Sequence, residues 1–190
     1  MHGNVQAVTA IDWCNEIHSL VKGGALPAES RPIPQAREWS GEYVYAVEGL
    51  SPTDPNAALI SSFAVGTFDP RRALVLGLLA SVLNEPTYNQ LRTIEQLGYL
   101  VFSGASIHAA EDTMGFYIAV QSPWSEPGNI SHSVDSLVHG TLEAAVRGLS
   151  DEHFERERAA VIANKLAPFE ELSEEAGFYA GEIGLHRCHS

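Results

Sequence analysis

Residues 84–104 read Asn-Glu-Pro-Thr-Tyr-Asn-Gln-Leu-Arg-Thr-Ile-Glu-Gln-Leu-Gly-Tyr-Leu-Val-Phe-Ser-Gly. This stretch turns a corner from helix to strand. Before it, Leu74, Val75, Leu78, Leu79, Val82 and Leu83 recur at helical spacing and predict the buried stripe of one helix. Asp69 followed by Pro70 supplies its start, an N-cap oxygen and then a residue whose missing amide is not needed there. Pro86 predicts the end of that helix, and Tyr88–Glu95 a further short helical piece. After Gly98 the pattern changes, and Leu100–His108 reads as a strand.

Working outward, Met114–Gln121 is a second strand, joined to the first through the polar Ala110-Glu111-Asp112-Thr113. Pro123–Gly128 is a loop, and Ile130, Val134, Leu137, Val138, Leu142, Ala145 and Leu149 mark a long amphipathic helix. Ser150 can cap the next helix, with Asp151 and Glu152 in the first turn, where negative charge suits the helix dipole. Phe154, Val161, Ile162 and Leu166 are its apolar positions, and Pro168 closes it. Leu172, Ala176, Tyr179, Ala180 and Ile183 predict a last helix.

Upstream, Ala57–Gly66 is an apolar strand preceded by a turn at Ser51–Asn56. Tyr43, Tyr45 and Val47 alternate within Gly41–Glu48 and predict another strand, antiparallel to it. A helix over Asn4–Lys22 is expected, with Asn4 as N-cap and Gly23-Gly24 as stop. Ala25–Gln35 carries three prolines and reads as a linker. The order implies an α+β fold, an antiparallel sheet with helices packed on one face. The last helical pattern meets neither a stop signal nor a closing strand, which predicts a truncated domain, incomplete at its C-terminus.

The chain has 190 residues, 45% hydrophobic and 18% charged, the range of a globular protein with a real core. Its formal charge is −13, and its 11 Lys and Arg residues are scattered. Nucleic-acid binding needs clustered cations, so that class is excluded. No apolar run spans a membrane and no leader pattern opens the chain, so no membrane association is expected. Cys14 and Cys188 make no disulfide framework and read as free thiols, which favours a reducing, cytoplasmic location.

Phosphate-binding loops, the G-x-S-x-G elbow and both helical zinc motifs, H-E-x-x-H and H-x-x-E-H, are missing from the sequence. His186, Cys188 and His189 lie together in an exposed polar tail, short of the three or four ligands zinc needs. His132, His139 and Glu143 share a helix, and Glu170, Glu171, Glu174 and Glu175 form a charge run. Both read as solvated faces. This chain is expected to bind no metal.

Arg92 and Tyr99 remain. Arginine is a permanent cation with a rigid fork of donors, and tyrosine offers one O–H donor. Set at a corner, the two can hold a peptide carbonyl or an oxyanion. The alternative is structural: Arg92 pairs with Glu95 or Glu85, and Tyr99 packs into the core.

The segment Leu91–Gly104, its run-in Asn84–Asn89 and the His2-Gly3-Asn4 element before the first helix resemble the C-terminal region of the pitrilysin/insulinase family of zinc metallopeptidases. The resemblance implies four related α+β domains in two halves, with zinc held by the N-terminal half in an H-x-x-E-H motif that this chain lacks. It implies that residues 1–30 are the last helix of a preceding domain and a linker, and 31–190 most of the fourth domain. By the same resemblance Arg92 holds the substrate backbone and Tyr99 hydrogen-bonds the scissile carbonyl, so both count as catalytic and substrate-binding residues. Zinc is then a cofactor of the full-length enzyme, and the implied partners are a peptide substrate and the N-terminal half. A lone fragment is expected to be inactive and to expose apolar surface that favours self-association. The alternative function is a non-catalytic binding or assembly scaffold of the same family.

Overall fold

The structure is a computed structural model that describes residues 3–21, 23–24, 41–49, 51, 53–108 and 112–184, with side chains to 181. The expected linker at 25–35, the tail histidines His186 and His189, Cys188, and Ala110 and Glu111 of the polar connection lie outside the described residues. The chain divides into two compact units, Gln35–Leu166 and Met1–Pro34 with Ala167–Ser190.

The larger unit is built on a three-stranded antiparallel sheet. Its strands are β1 (Ala57–Gly66), β2 (Leu100–His108) and β3 (Thr113–Ser122), in the order β1-β3-β2. The central strand β3 pairs Ile118 with Ser61 on one side and with Ser103 on the other. Its even-numbered residues Met114, Phe116, Ile118 and Val120 are buried, and the odd ones between them only partly so, as a period of two requires. Helices α2 (Pro70–Tyr88) and α3 (Pro127–Ser136) cover that face. Leu76, Ala80 and Leu83 of α2 and Ile130 and Val134 of α3 join Met114, Phe116, Ile118 and Val120 in one core. Ile60 and Phe102, on the other face, are 70% and 55% exposed. The fold is α+β, with α2 and α3 on one side of the sheet.

Local chemistry explains the boundaries. Asp69 caps α2 as expected, its Oδ1 accepting the Arg72 backbone N–H at 2.8 Å. The turn before β1 is tied by Asp54, whose carboxylate accepts the Asn56 backbone N–H at 2.9 Å. That bond, joined by one from the Asn56 side chain, holds the Asp54 pKa below its ordinary value. The long helix after β3 runs as α3, a widened segment over Leu137–Leu142, and α4 (Glu143–Arg147). Ser150 Oγ then accepts the His153 backbone N–H at 3.2 Å and starts α5 (Asp151–Leu166). In the smaller unit, α1 (Ala7–Leu20) and α6 (Leu172–Gly184) are the helices, and Phe178 meets Phe169 and Tyr179 through ring contacts.

Five expectations change. Gly41–Glu48 forms no strand, because alternation shows which side chains share a face but supplies no neighbouring ladder. Pro86 does not end α2: the helix runs through it to Tyr88 and on as a widened turn over Asn89–Ile94. Burial of Leu91 in the core offsets the one hydrogen bond proline cannot make. Leu74 and Val75 are 57% and 66% exposed, whereas Val82 and Leu83 of the expected stripe are buried, together with Leu76, Ala80 and Thr87. This helix is apolar nearly all round, so the sheet rather than the periodicity selects its inner face. On α5 no residue is fully buried, and Phe154, Ile162 and Leu166 are exposed. At the N-terminus, Gln6 occupies the cap position of α1 in place of Asn4, without a side-chain bond.

Candidate functional site

The corner after α2 is made by two backbone devices. The Glu95 N–H donates to the Gln90 carbonyl and the Leu97 N–H to the Leu91 carbonyl, each at 2.9 Å, a wider winding than an α-helix. Gln96 between them adopts a left-handed backbone, φ 54°. Gly98 then passes against β3 so closely that a Cβ there would overlap the Gln121 carbonyl oxygen and lie 2.8 Å from its carbon. Gly98 is therefore required by close approach. The left-handed backbone angle at this corner belongs to Gln96.

This corner brings Arg92 and Tyr99 together. The Arg92 guanidinium carbon lies 5.5 Å from the centre of the Tyr99 ring, within range of a cation–π contact. Tyr99 is 67% exposed, so it is not a core residue. Arg92 is half-buried, with its Nε buried and lacking an acceptor among the described residues. Neither Glu95 nor Glu85 pairs with it, and Glu95 instead accepts from the Gln90 side chain at 2.8 Å. A guanidinium without a carboxylate beside an exposed phenol forms a two-donor surface suited to carbonyl or carboxylate oxygens.

A third residue belongs to this cluster and carries no sequence signal. The Trp124 ring meets Tyr99 edge to face, with centroids 5.5 Å apart and planes at 74°. It reaches the corner from the loop after β3, a long-range contact that local patterns do not encode.

The other residues considered from sequence stay apart from it. His132 and His139 are exposed on their helix, and the Glu170–Glu175 run bonds within itself, Glu174 accepting the Glu170 backbone N–H at 3.1 Å. A separate cavity of about 650 Å³ lies between α2 and α5, bordered by Ser81, Glu85, His153, Glu157 and Lys165. There Ser81 Oγ donates to Glu157 at 2.7 Å, and neither Arg92 nor Tyr99 lines it. Among the described residues no three His, Cys, Asp or Glu side chains are grouped to hold a metal ion.

Residues 78–180, more than half of the chain, match the family described as PQQ synthase PqqF-like, C-terminal lobe domain 4. The chain belongs to the pitrilysin/insulinase family. It is 34% identical over 145 residues to "Insulin-degrading enzyme-like 1, peroxisomal" of Arabidopsis thaliana, a match covering 75% of this chain and 14% of that protein. To the A-factor-processing enzyme of Saccharomyces cerevisiae it is 31% identical over 192 residues, covering 97% of this chain and 18% of that one. The crystal structure of pitrilysin superposes with a TM-score of 0.67 at 21% identity, over 96% of this chain and 19% of that one. The last likeness is one of fold. Against each of these pitrilysin/insulinase proteins, the chain spans less than a fifth of the length.

Proposed function

We propose that this chain supplies the substrate-holding side of a metallopeptidase active site. Arg92 holds a backbone carbonyl of the bound peptide, and the Tyr99 O–H donates to the scissile carbonyl oxygen as the carbon becomes tetrahedral. The observation that supports this is the pairing itself: an exposed phenol 5.5 Å from a guanidinium that has no carboxylate partner among the described residues. A donor aimed at an oxygen that gains negative charge binds the transition state more tightly than the ground state, which is what raises a rate.

In this reading residues 1–30 close a preceding domain and 31–190 form most of the fourth. The partners are a peptide and the rest of the peptidase. In this reading the zinc ion that the family implies is held by the part of the peptidase outside this chain, since this sequence carries no H-x-x-E-H motif.

The test is made in the full-length peptidase. Tyr99→Phe is expected to lower kcat about 10²- to 10³-fold, the usual loss for one oxyanion donor. Arg92→Ala is expected to lower kcat/KM strongly, and neither change to shift the unfolding midpoint appreciably. Wild-type rates in both variants would overturn the assignment, and a full-length protein with no peptidase activity would favour the scaffold reading.

A further inference from the structure

We propose that Trp124 is a positioning residue for Tyr99, a role that rests on the reading of Tyr99 given above. Tyr99 precedes β2 and is mostly exposed, so packing in the core does not fix its ring. A phenol in that position turns about two torsions, χ1 between staggered wells and a broad, two-fold χ2. Among the described residues its ring contacts are the Arg92 guanidinium and the Trp124 indole, each at 5.5 Å.

Trp124 is itself held by directed bonds rather than by burial. It is 58% exposed and lies outside the hydrophobic core. Its Nε1–H donates to the Gln96 carbonyl at 3.1 Å, which ties the loop after β3 to the left-handed residue that ends the helix. The root of that loop is fixed by Ser122, a fully buried serine at the end of β3. Its Oγ accepts the backbone N–H of Ser125 at 2.8 Å and of Trp124 at 3.3 Å. The indole is thus fastened at ring and backbone, with an aromatic contact to the phenol.

The geometry points to one consequence. The phenol O–H must meet a single oxygen, and a misplacement of about 1 Å can cost on the order of 10²-fold in rate. Trp124 narrows the orientations of the Tyr99 ring and so keeps the hydroxyl where the oxyanion forms. It touches neither the substrate nor the reacting atoms in this role.

The experiment is a mutant cycle in the full-length peptidase, with kcat and KM measured separately for Trp124→Ala, Trp124→Phe, Tyr99→Phe and the Tyr99→Phe/Trp124→Ala pair. Trp124→Ala is expected to lower kcat about tenfold with KM within about twofold, as loss of orientation rather than of binding requires. Trp124→Phe keeps an aromatic ring but loses the bond to Gln96, so it should fall between wild type and alanine. It also keeps the test decisive if the alanine variant folds poorly. Adding Trp124→Ala to Tyr99→Phe should change kcat by less than about twofold, because there is no longer a hydroxyl to place.

An impaired Tyr99→Phe beside a fully active Trp124→Ala would overturn the positioning role and leave the reading of Tyr99 intact. Effects that multiply in the double variant would also overturn it, since Trp124 would then act independently of the phenol. A fully active Tyr99→Phe would overturn the reading of Tyr99, and the role of Trp124 with it.

Discussion

Gly98 and Gln96 are two residues apart and make opposite demands on the chain. At Gly98 the backbone angles are ordinary, but a methyl group would collide with the Gln121 carbonyl of β3. Gly98→Ala should therefore destabilise the chain by about 1–3 kcal/mol, the usual scale of forced backbone shifts. Gln96 carries a side chain in left-handed space at no evident gain, so Gln96→Gly should be neutral or stabilising by up to about 1 kcal/mol. The urea midpoint should fall for Gly98→Ala and hold or rise for Gln96→Gly. Equal losses would show that the corner is not built this way. A sequence marks Gly98 as special, but not why, because its neighbour Gln121 comes from a strand formed later in the chain. Arg92 and Tyr99 are legible as donors at a corner, whereas Trp124 is silent for the same reason of distance.

Helix starts are encoded locally and helix faces are not. Asp69-Pro70 is a complete signal within two residues, and α2 begins there. Asp69→Ala should cost about 1 kcal/mol, the typical value for a lost N-cap. Asn4 looks similar in sequence but caps nothing, so Asn4→Ala should stay within about 0.5 kcal/mol of wild type. Thermal unfolding of both variants measures the contrast, and a large loss at Asn4 would contradict the observed start of α1. Pro86 shows the limit of local signals. Its ring disfavours a continuing helix, yet the helix continues because the next turn buries Leu91 in the core. Pro86 and the burial of Leu91 act at the same site, and only the first is visible in a sequence.

For the whole molecule, stability is concentrated where β3 meets α2 and α3. Ile118 sits at the middle of the central strand with no exposed surface, while Leu74 lies on the outer side of α2. Ile118→Ala should cost about 2–5 kcal/mol through lost burial and a residual cavity. Leu74→Ala should change stability by less than about 0.5 kcal/mol. Denaturant unfolding of the 190-residue chain separates the two, and similar losses would mean that α2 packs through a different face. The sheet explains this division: β3, flanked on both sides, presents one face to two helices, and the opposite face leaves Ile60 and Phe102 exposed.

By itself the sequence determined the α+β class, the β2–β3 pair, the capped starts of α2 and α5, and the two donors at the corner. All of these rest on residues that are neighbours in the chain, where capping, turn chemistry and side-chain period act over a few positions. Tertiary structure alone decided which face of α2 is inside, that the helix passes Pro86, that Gly41–Glu48 stays out of the sheet, and that Trp124 stands against Tyr99. Each of those depends on a partner surface brought in from a distant part of the chain, and the burial it provides can outweigh a local preference of about a kilocalorie or more.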